Sequence, residues 1–362
     1  MSSVLLAIIA SALAAGPQLA EEKYSDGSIK SRQEIVVQKD GIPVQHGSTQ
    51  RFFRNGELQL EMQYANGMRH GPWRENYENG KVKAEGSYRN GSRDGVEKRY
   101  HRDGVLTMET HFKEGMRHGT QTEWSPSGKK LREANYWQNQ FHGQVRKWSH
   151  AGTLLSDISY DRGIKHGKEQ RFYDNGTKHV ERDYDHGIKN GVALEWFTNG
   201  KPKTEANFKQ GKLDGHAVQY FPDGQKQTEG TYQDGLQQGL FREWHDDAEH
   251  HLAVERNFLH GKPDGLQTVY HTNGKKHLEA RSKDGHRDGP WTEWYDDGKI
   301  RAQGVYCNNH EDGEQIFYHP NGAKWSIRNY DNGRPQGTWI SWDPDGKVVE
   351  QTNYDASTPK KR

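Results

Sequence analysis

Aromatic side chains recur along this 362-residue chain in two phased columns. One runs Tyr64, Tyr88, Phe112, Tyr136, Tyr160, Tyr184, Phe208 and Tyr232, resumes at Phe258, breaks at Ser282, and ends with Tyr306, Tyr330 and Tyr354. The other runs Phe52, Tyr100, Trp124, Trp148, Phe172, Trp196, Tyr220 and Trp244, then Tyr270, Trp294, Tyr318 and Trp342. Asn76 interrupts the second column, with Tyr77 beside it. Outside one insertion, the spacing within each column is 24 residues. The pattern predicts two short strands per unit, of which Lys81 to Tyr88 exemplifies the first and Val192 to Phe197 the second, and 13 units in all. One such unit cannot bury its aromatic face alone, whereas stacked neighbours can.

Three glycine series punctuate the strands. Gly56, Gly80 and Gly104 begin one, Gly47, Gly71 and Gly95 a second, and Gly67, Gly91 and Gly115 a third, all with the same spacing. The third is replaced only by Asn139 and Asn309. Asn is the non-glycine residue most tolerant of positive φ, so this series predicts a left-handed backbone position. Pro222-Asp223-Gly224, Pro320-Asn321-Gly322 and Pro344-Asp345-Gly346 predict type I turns closed by a left-handed glycine. The other connection, Asn66 to Gly71, reads as a longer loop. Glycine recurs too often for helices, each costing about 1 kcal/mol. The predicted fold is all-β, an elongated single-layer ladder of about 13 β-hairpin repeats with a 24-residue period.

Composition fits a thin sheet. Only 30% of residues are hydrophobic, too few for a thick core, yet 11% are aromatic and 41 are glycine. Balanced charge, 51 basic against 50 acidic side chains, removes any general attraction to nucleic acid or anionic lipid. The single Cys307 excludes an intrachain disulfide and a multi-cysteine metal cluster.

Residues 1–20 differ from the rest. Val4 to Ala15 is an apolar run too short to span a bilayer and of the length of a signal-peptide core. Ala12-Leu13-Ala14 offers a cleavage site, so residues 1–20 read as a signal peptide and the protein as periplasmic or secreted. The alternative is an uncleaved apolar tail packed on the first repeat of a cytoplasmic protein. No later segment is apolar enough for a transmembrane span. Residues 21–46 depart from the period and read as an irregular cap, 47–354 as repeats and 355–362 as a disordered tail.

Several positions invite chemical readings. A Glu column, including Glu61, Glu85, Glu109, Glu133, Glu181, Glu205, Glu229, Glu255 and Glu279, faces away from the Tyr/Phe column by parity. Arg99, Lys147 and Arg171 are its expected partners across the ladder. His46, His70, His118, His142 and His166 precede second-series glycines, where later units carry Asn190, Asp214, Asp264, Asp288 and Asp312. A side chain that bonds turn backbone explains all these types, and units about 10 Å apart cannot share one ion. The two-residue insertion falls in His245, Asp246, Asp247, Ala248, Glu249, His250 and His251. Its three His and three carboxylates are metal-ligand types at no fixed motif spacing, so an exposed polar turn is the simpler account. Nucleophile-elbow, phosphate-loop and zinc-protease signatures are missing, and neither catalysis nor a cofactor is expected. Trp73, Phe197, Phe241, Trp291 and Trp339, read as exposed on the second strand's alternate face, are the anchors expected for a partner.

The unit Gly80-Lys81-Val82-Lys83-Ala84-Glu85-Gly86-Ser87-Tyr88-Arg89-Asn90-Gly91, followed by a strand ending in Trp or Tyr, resembles the MORN (membrane occupation and recognition nexus) repeat variant of bacterial proteins. The resemblance covers roughly residues 45 to 354. It implies a ladder of β-hairpins used for binding or scaffolding without catalysis, and similar chains are often labelled antitoxins of toxin–antitoxin systems. Together with the signal segment, it leads to the expectation of an exported scaffold that binds a protein along an extended β face. A glycan- or envelope-binding surface is the alternative.

Overall fold

The computed structural model describes residues 16–39 and 41–355. Among the described residues there is no α-helix; 30 strands, paired antiparallel with their neighbours, form one open sheet. The chain divides into two compact units, Met1–Thr177 with Tyr184–Gly187, and Lys178–Asp183 with Ile188–Arg362.

Leu58–Ala65, Met68–Asn76 and Val82–Arg89 show the repeat. The turn between the first two is only Asn66-Gly67, with φ of 50° and 79°. Two consecutive left-handed residues match the right-handed twist of the flanking strands. The third glycine series is left-handed throughout, and so are its substitutes Asn139 (φ 68°) and Asn309 (φ 72°).

The longer loop expected over Asn66–Gly71 is therefore corrected. Met68, Arg69 and His70 already belong to the strand. Gly71 (φ 92°) sits inside that strand, where the register jumps from Tyr64 opposite Arg69 to Met62 opposite Trp73. A left-handed glycine can form a bulge within a ladder as well as end one. Most second strands thus start before their glycine, and at Gly95 and Gly313 the strand is split just ahead of it; the example expected over Val192 to Phe197 is Ile188–Trp196.

The other connection is as expected. In Phe221-Pro222-Asp223-Gly224-Gln225, the Phe221 N–H donates to the Gln225 carbonyl (2.8 Å) and the Gly224 N–H to the Phe221 carbonyl (2.9 Å). Asparagine at these turns also ties one repeat to the next. Asn55 Nδ2 donates to the Glu78 carbonyl (3.1 Å), and Asn79, Asn199, Asn273 and Asn321 repeat that bond 23 residues on.

The segment read as an irregular cap holds regular strands. Gln18–Lys23, Ile29–Val37 and Pro43–Phe52 pair in order. A longer turn, in which the Gln38 N–H donates to the Ile42 carbonyl, shifts the glycine phase without breaking the pairing. Ala20 is 4% exposed within the first strand, and Gln18–Ala20 lies in the sheet. The apolar run and its cleavage site, residues 4–15, lie outside the described residues. Of the tail, Asp355 accepts the Gly337 N–H (2.9 Å), and 356–362 lie outside the described residues.

Candidate binding face

Cross-strand register assigns the side chains to faces. In the first unit Ala134, Tyr136 and Val145 form a buried cluster with Phe141 and Tyr160 packed on it. Glu133, next to Ala134, is on the opposite face, where it bonds Lys130 (2.6 Å) and Arg146 (3.5 Å). Lys130 lies over the Trp148 ring. The two aromatic columns therefore occupy opposite faces of one layer, the Tyr/Phe column on what is called here the aromatic face.

The second glycine series explains how that column fits. Tyr88 stands opposite Gly71, Phe112 opposite Gly95, Tyr136 opposite Gly119, Phe208 opposite Gly191 and Tyr306 opposite Gly289. Each ring lies across a residue with no side chain. A cation covers many of these rings: Arg69 over Tyr88 (5.4 Å), Arg93 over Phe112 (5.2 Å), Arg117 over Tyr136 (4.2 Å) and Arg287 over Tyr306 (5.3 Å).

On the reverse face the Glu column is neutralised by register-matched cations. Glu85 pairs with Arg74 (3.2 Å), Glu229 with Lys226 (2.5 Å) and Arg242 (3.2 Å), and Glu255 with Arg242 (2.9 Å). The expected partners Arg99, Lys147 and Arg171 are one residue out of phase, and a one-residue offset in a strand reverses the face. Arg99 and Arg171 instead bind Glu97 and Glu169 on the aromatic face (2.9 and 2.8 Å). Burial pushes the Glu169 carboxyl up, but bonds from Lys165, Arg171 and Tyr184 outweigh it and hold it below its ordinary value. The Glu229 carboxyl is held low in the same way by Lys226 and Arg242.

This face also carries an alternation that the period of 24 conceals. Lys130, Lys178, Lys226 and Lys276 each bond the Glu three residues on and cover Trp148, Trp196, Trp244 and Trp294 respectively. From Phe172 on, the intervening repeats carry Phe or Tyr instead; Tyr270 donates to Glu255 directly (3.2 Å), as Tyr100, ahead of the alternating stretch, does to Glu85 (2.8 Å). From Trp148 to Trp294 the chemistry of this face repeats every two units. The signal was legible in the alternation of Trp with Phe or Tyr from Trp148 to Trp342 in the second column.

The five aromatics expected as exposed anchors divide. Trp73, Phe241, Trp291 and Trp339 occupy one column at the centre of the aromatic face, whereas Phe197 lies in a turn, its N–H on the Lys201 carbonyl (2.9 Å). None of the four stands free. Phe241 is 8% exposed and covers Gly230, where an added Cβ would meet its ring at 2.4 Å. Trp73 covers Gly86 in the same manner. Trp291 Nε1 donates to Gln315 Oε1 (3.0 Å) and Trp339 Nε1 to the Asn329 carbonyl (3.0 Å). In a single-layer sheet the rings obtain burial by lying down on neighbouring strands of their own face.

Within the second unit this central column falls away. Ala193 pairs with Ala206, Ala206 with Ala217, and Ala217 with Gly230, so four adjacent strands present almost no side chain. The result is a trough of about 240 Å³. Phe208, Leu213 and Tyr232 line it, Phe241 closes one end, and Arg182, Lys189 and Glu195 supply charge at its rim. Sequence reasoning missed it because it looked for large residues rather than for a gap among them.

Three of the five expected histidines do the turn chemistry, whereas His142 Nδ1 meets Asp161 Oδ1 (3.1 Å) and His118 packs on Trp137 (ring centroids 4.4 Å apart). His46, His70 and His166 Nδ1 accept the backbone N–H of the left-handed residue 20 positions on (3.4–3.5 Å). Asn190, Asp214, Asp264, Asp288 and Asp312 do so with oxygen. Residues 245–251 form an enlarged version of the ordinary turn, the His245 N–H donating to the His251 carbonyl (2.9 Å). Their histidines diverge. His245 Nε2 meets the Tyr270 carbonyl (3.1 Å), as His271 and His319 meet Trp294 and Trp342. His250 meets Asp223 (2.8 Å), and His251 faces Asp247 (3.8 Å) and Glu249 (3.6 Å). Asp247 Oδ1 accepts the Glu249 and His251 backbone N–H groups. Asp246 brings no further bond to this set.

A single layer of antiparallel hairpins, each leaning on the next through a repeated set of turns and rings, defines a β-hairpin repeat protein. The sequence profile of the MORN repeat variant matches residues 45–66, 69–90, 93–114, 117–138, 165–186, 189–210, 213–234, 287–308, 311–332 and 335–356, more than half of the chain. The chain belongs to that family. No curated protein matches it. Among solved structures it is similar to a chain of the TcdB2-TccC3-Cdc42 crystal structure, at 10% identity and a TM-score of 0.17, covering 92% of this chain and 23% of that one. A chain of the Photorhabdus luminescens Tc holotoxin pore structure is similar at 11% identity and a TM-score of 0.17, covering 93% and 23%. This chain thus spans about a quarter of the length of those chains, and likeness at such scores has no bearing on function.

Proposed function

We propose that this protein is a non-catalytic scaffold that binds a protein partner on the aromatic face, with an apolar side chain of the partner seated in the trough over Ala193, Ala206, Ala217 and Gly230. The trough is the observation that carries the reading. It is a recess of side-chain size, mainly apolar but with Thr204, Gln219 and Thr228 and the charged Arg182, Lys189, Glu195 and Glu229 also in its lining, and anchor side chains in such recesses dominate interface energies. We also propose export, with an immunity- or antitoxin-like role, on the N-terminal apolar run and the family resemblance.

The test uses the full chain as bait in a cell-envelope extract, with Ala217→Trp as the trough-filling variant. A bound protein whose affinity falls at least tenfold with Ala217→Trp, while the variant's urea midpoint stays near the parent's, supports the proposal. Retention on peptidoglycan or polysaccharide with no protein bound, or a protein partner indifferent to the substitution, overturns it.

A further inference from the structure

We propose that His166, Asp185 and His186 form a binding site for a divalent transition-metal ion of the zinc class. One ligand atom from each lies within 4.8 Å of the other two. Asp185 Oδ1 is 2.6 Å from His186 Nδ1 and 3.4 Å from His166 Nδ1. Ligands about 2.0–2.1 Å from a tetrahedral ion stand about 3.3 Å apart, so the 3.4 Å separation already suits an ion; on binding, the hydrogen bond between His186 and Asp185 opens and His166 exchanges its backbone bond for the metal. Two imidazoles and a carboxylate are a donor set for zinc, nickel or copper rather than for calcium or magnesium. All three side chains are exposed, with 47%, 59% and 70% of their area accessible, so water can complete the coordination.

Turn chemistry does not account for the set. It requires an acceptor at 166 and a left-handed residue at 186 (φ 47°). Elsewhere the same task is done by His46 with Asn66, His70 with Asn90, and Asn190 with Gln210. None of those turns adds both a carboxylate and a second imidazole. The His142 turn has the carboxylate, Asp161 at 3.1 Å, but continues with Arg162, whose charge opposes a cation. All three residues belong to the first unit, His166 on strand Ile164–Phe172 and Asp185 and His186 at the turn that follows Lys178–Asp185, so a bound ion ties that turn to the earlier strand.

The repeats themselves supply substitutions that remove ligands and keep the turn. His166→Asn copies Asn190, and His186→Asn copies Asn66 and Asn90. Zinc is titrated into the full chain at neutral pH in competition with a chromophoric chelator, beside His166→Asn, His186→Asn, Asp185→Asn and the control His70→Asn. The parent and His70→Asn are expected to share one tight zinc equivalent, weakened at least about tenfold in the other three. Zinc should raise the melting temperature of the first two proteins only. Equal affinity and stoichiometry in all five proteins, or no zinc bound by the parent, overturns the proposal. Failure of one Asn variant to fold leaves the other two to decide.

Discussion

At the scale of single residues, the sheet works by matching a ring to a missing side chain. Phe241 and Gly230 show how tight the match is, since a Cβ on Gly230 would approach the ring to 2.4 Å. Gly230→Ala is expected to destabilise the protein by about 1–3 kcal/mol, the usual cost of overpacking. Phe241→Ala alone removes a buried ring, and the double variant should lose less than the sum of the two. Urea midpoints of the three variants check this; strict additivity would show that the ring does not depend on the glycine. A second residue-scale prediction concerns Tyr100. Burial first, then its bond to the Glu85 carboxylate, pushes its hydroxyl from 10.0 to about 12. The neutral form is favoured in the folded chain, so this stability is complete below pH 10 and is lost as pH rises towards 12. Tyr100→Phe should therefore flatten the decline of stability between pH 10 and 12. An absorbance titration of tyrosinate should also lose one late-ionising group. Unchanged curves would refute the assignment.

At the scale of the hairpin, the two connections do different work. The two-residue turns carry paired left-handed residues and are tied back to the preceding repeat by His, Asn or Asp. The turns closed by Gly56, Gly80 and their equivalents are tied forward by asparagine amides. Residues 245–251 keep the closing bond of the second kind with two residues to spare. Replacing His245–His251 by the five residues Phe221–Gln225 of the regular turn should leave the fold intact, because small changes in loop length cost little. The thermal midpoint of the replacement is expected within a few degrees of the parent; loss of cooperative unfolding would show that the enlarged turn is structurally required. Strand faces were legible in the sequence for the Glu column and the Tyr/Phe column, three residues apart and so of opposite parity. The partners of the Glu column were not, because the bulge at each second-series glycine resets the register by an amount that glycine spacing does not reveal.

At the scale of the molecule, strands pair with their neighbours in sequence, and stability in such an array is close to a sum of local terms. Ending the chain after Asp331 removes Arg334–Trp342 and Val348–Asn353 and exposes Lys324–Asp331 as a new edge. The shortened protein should remain folded, with β circular dichroism reduced in proportion to length and a midpoint lower by several degrees. Global unfolding would instead reveal a cooperative unit that the nearest-neighbour pairing does not describe. The same locality gives the trough its meaning: four consecutive strands can surrender their central side chains while their backbone pairing continues, with Phe241 and the Arg182–Glu195 pair in the lining of the gap.

The all-β class, the period, the turn glycines and the left-handed asparagines were determined by the residues alone, because each depends on local backbone preference repeated many times over. The histidine column was legible for the same reason, since only turn bonding accommodates His, Asn and Asp at one position. Which aromatics lie down and which residues oppose them was decided only in three dimensions. So were the trough formed where Ala193, Ala206, Ala217 and Gly230 come side by side and the meeting of His166 with Asp185 and His186. These depend on cross-strand register, and register follows from bulges and turn lengths acting together rather than from any one segment of the chain.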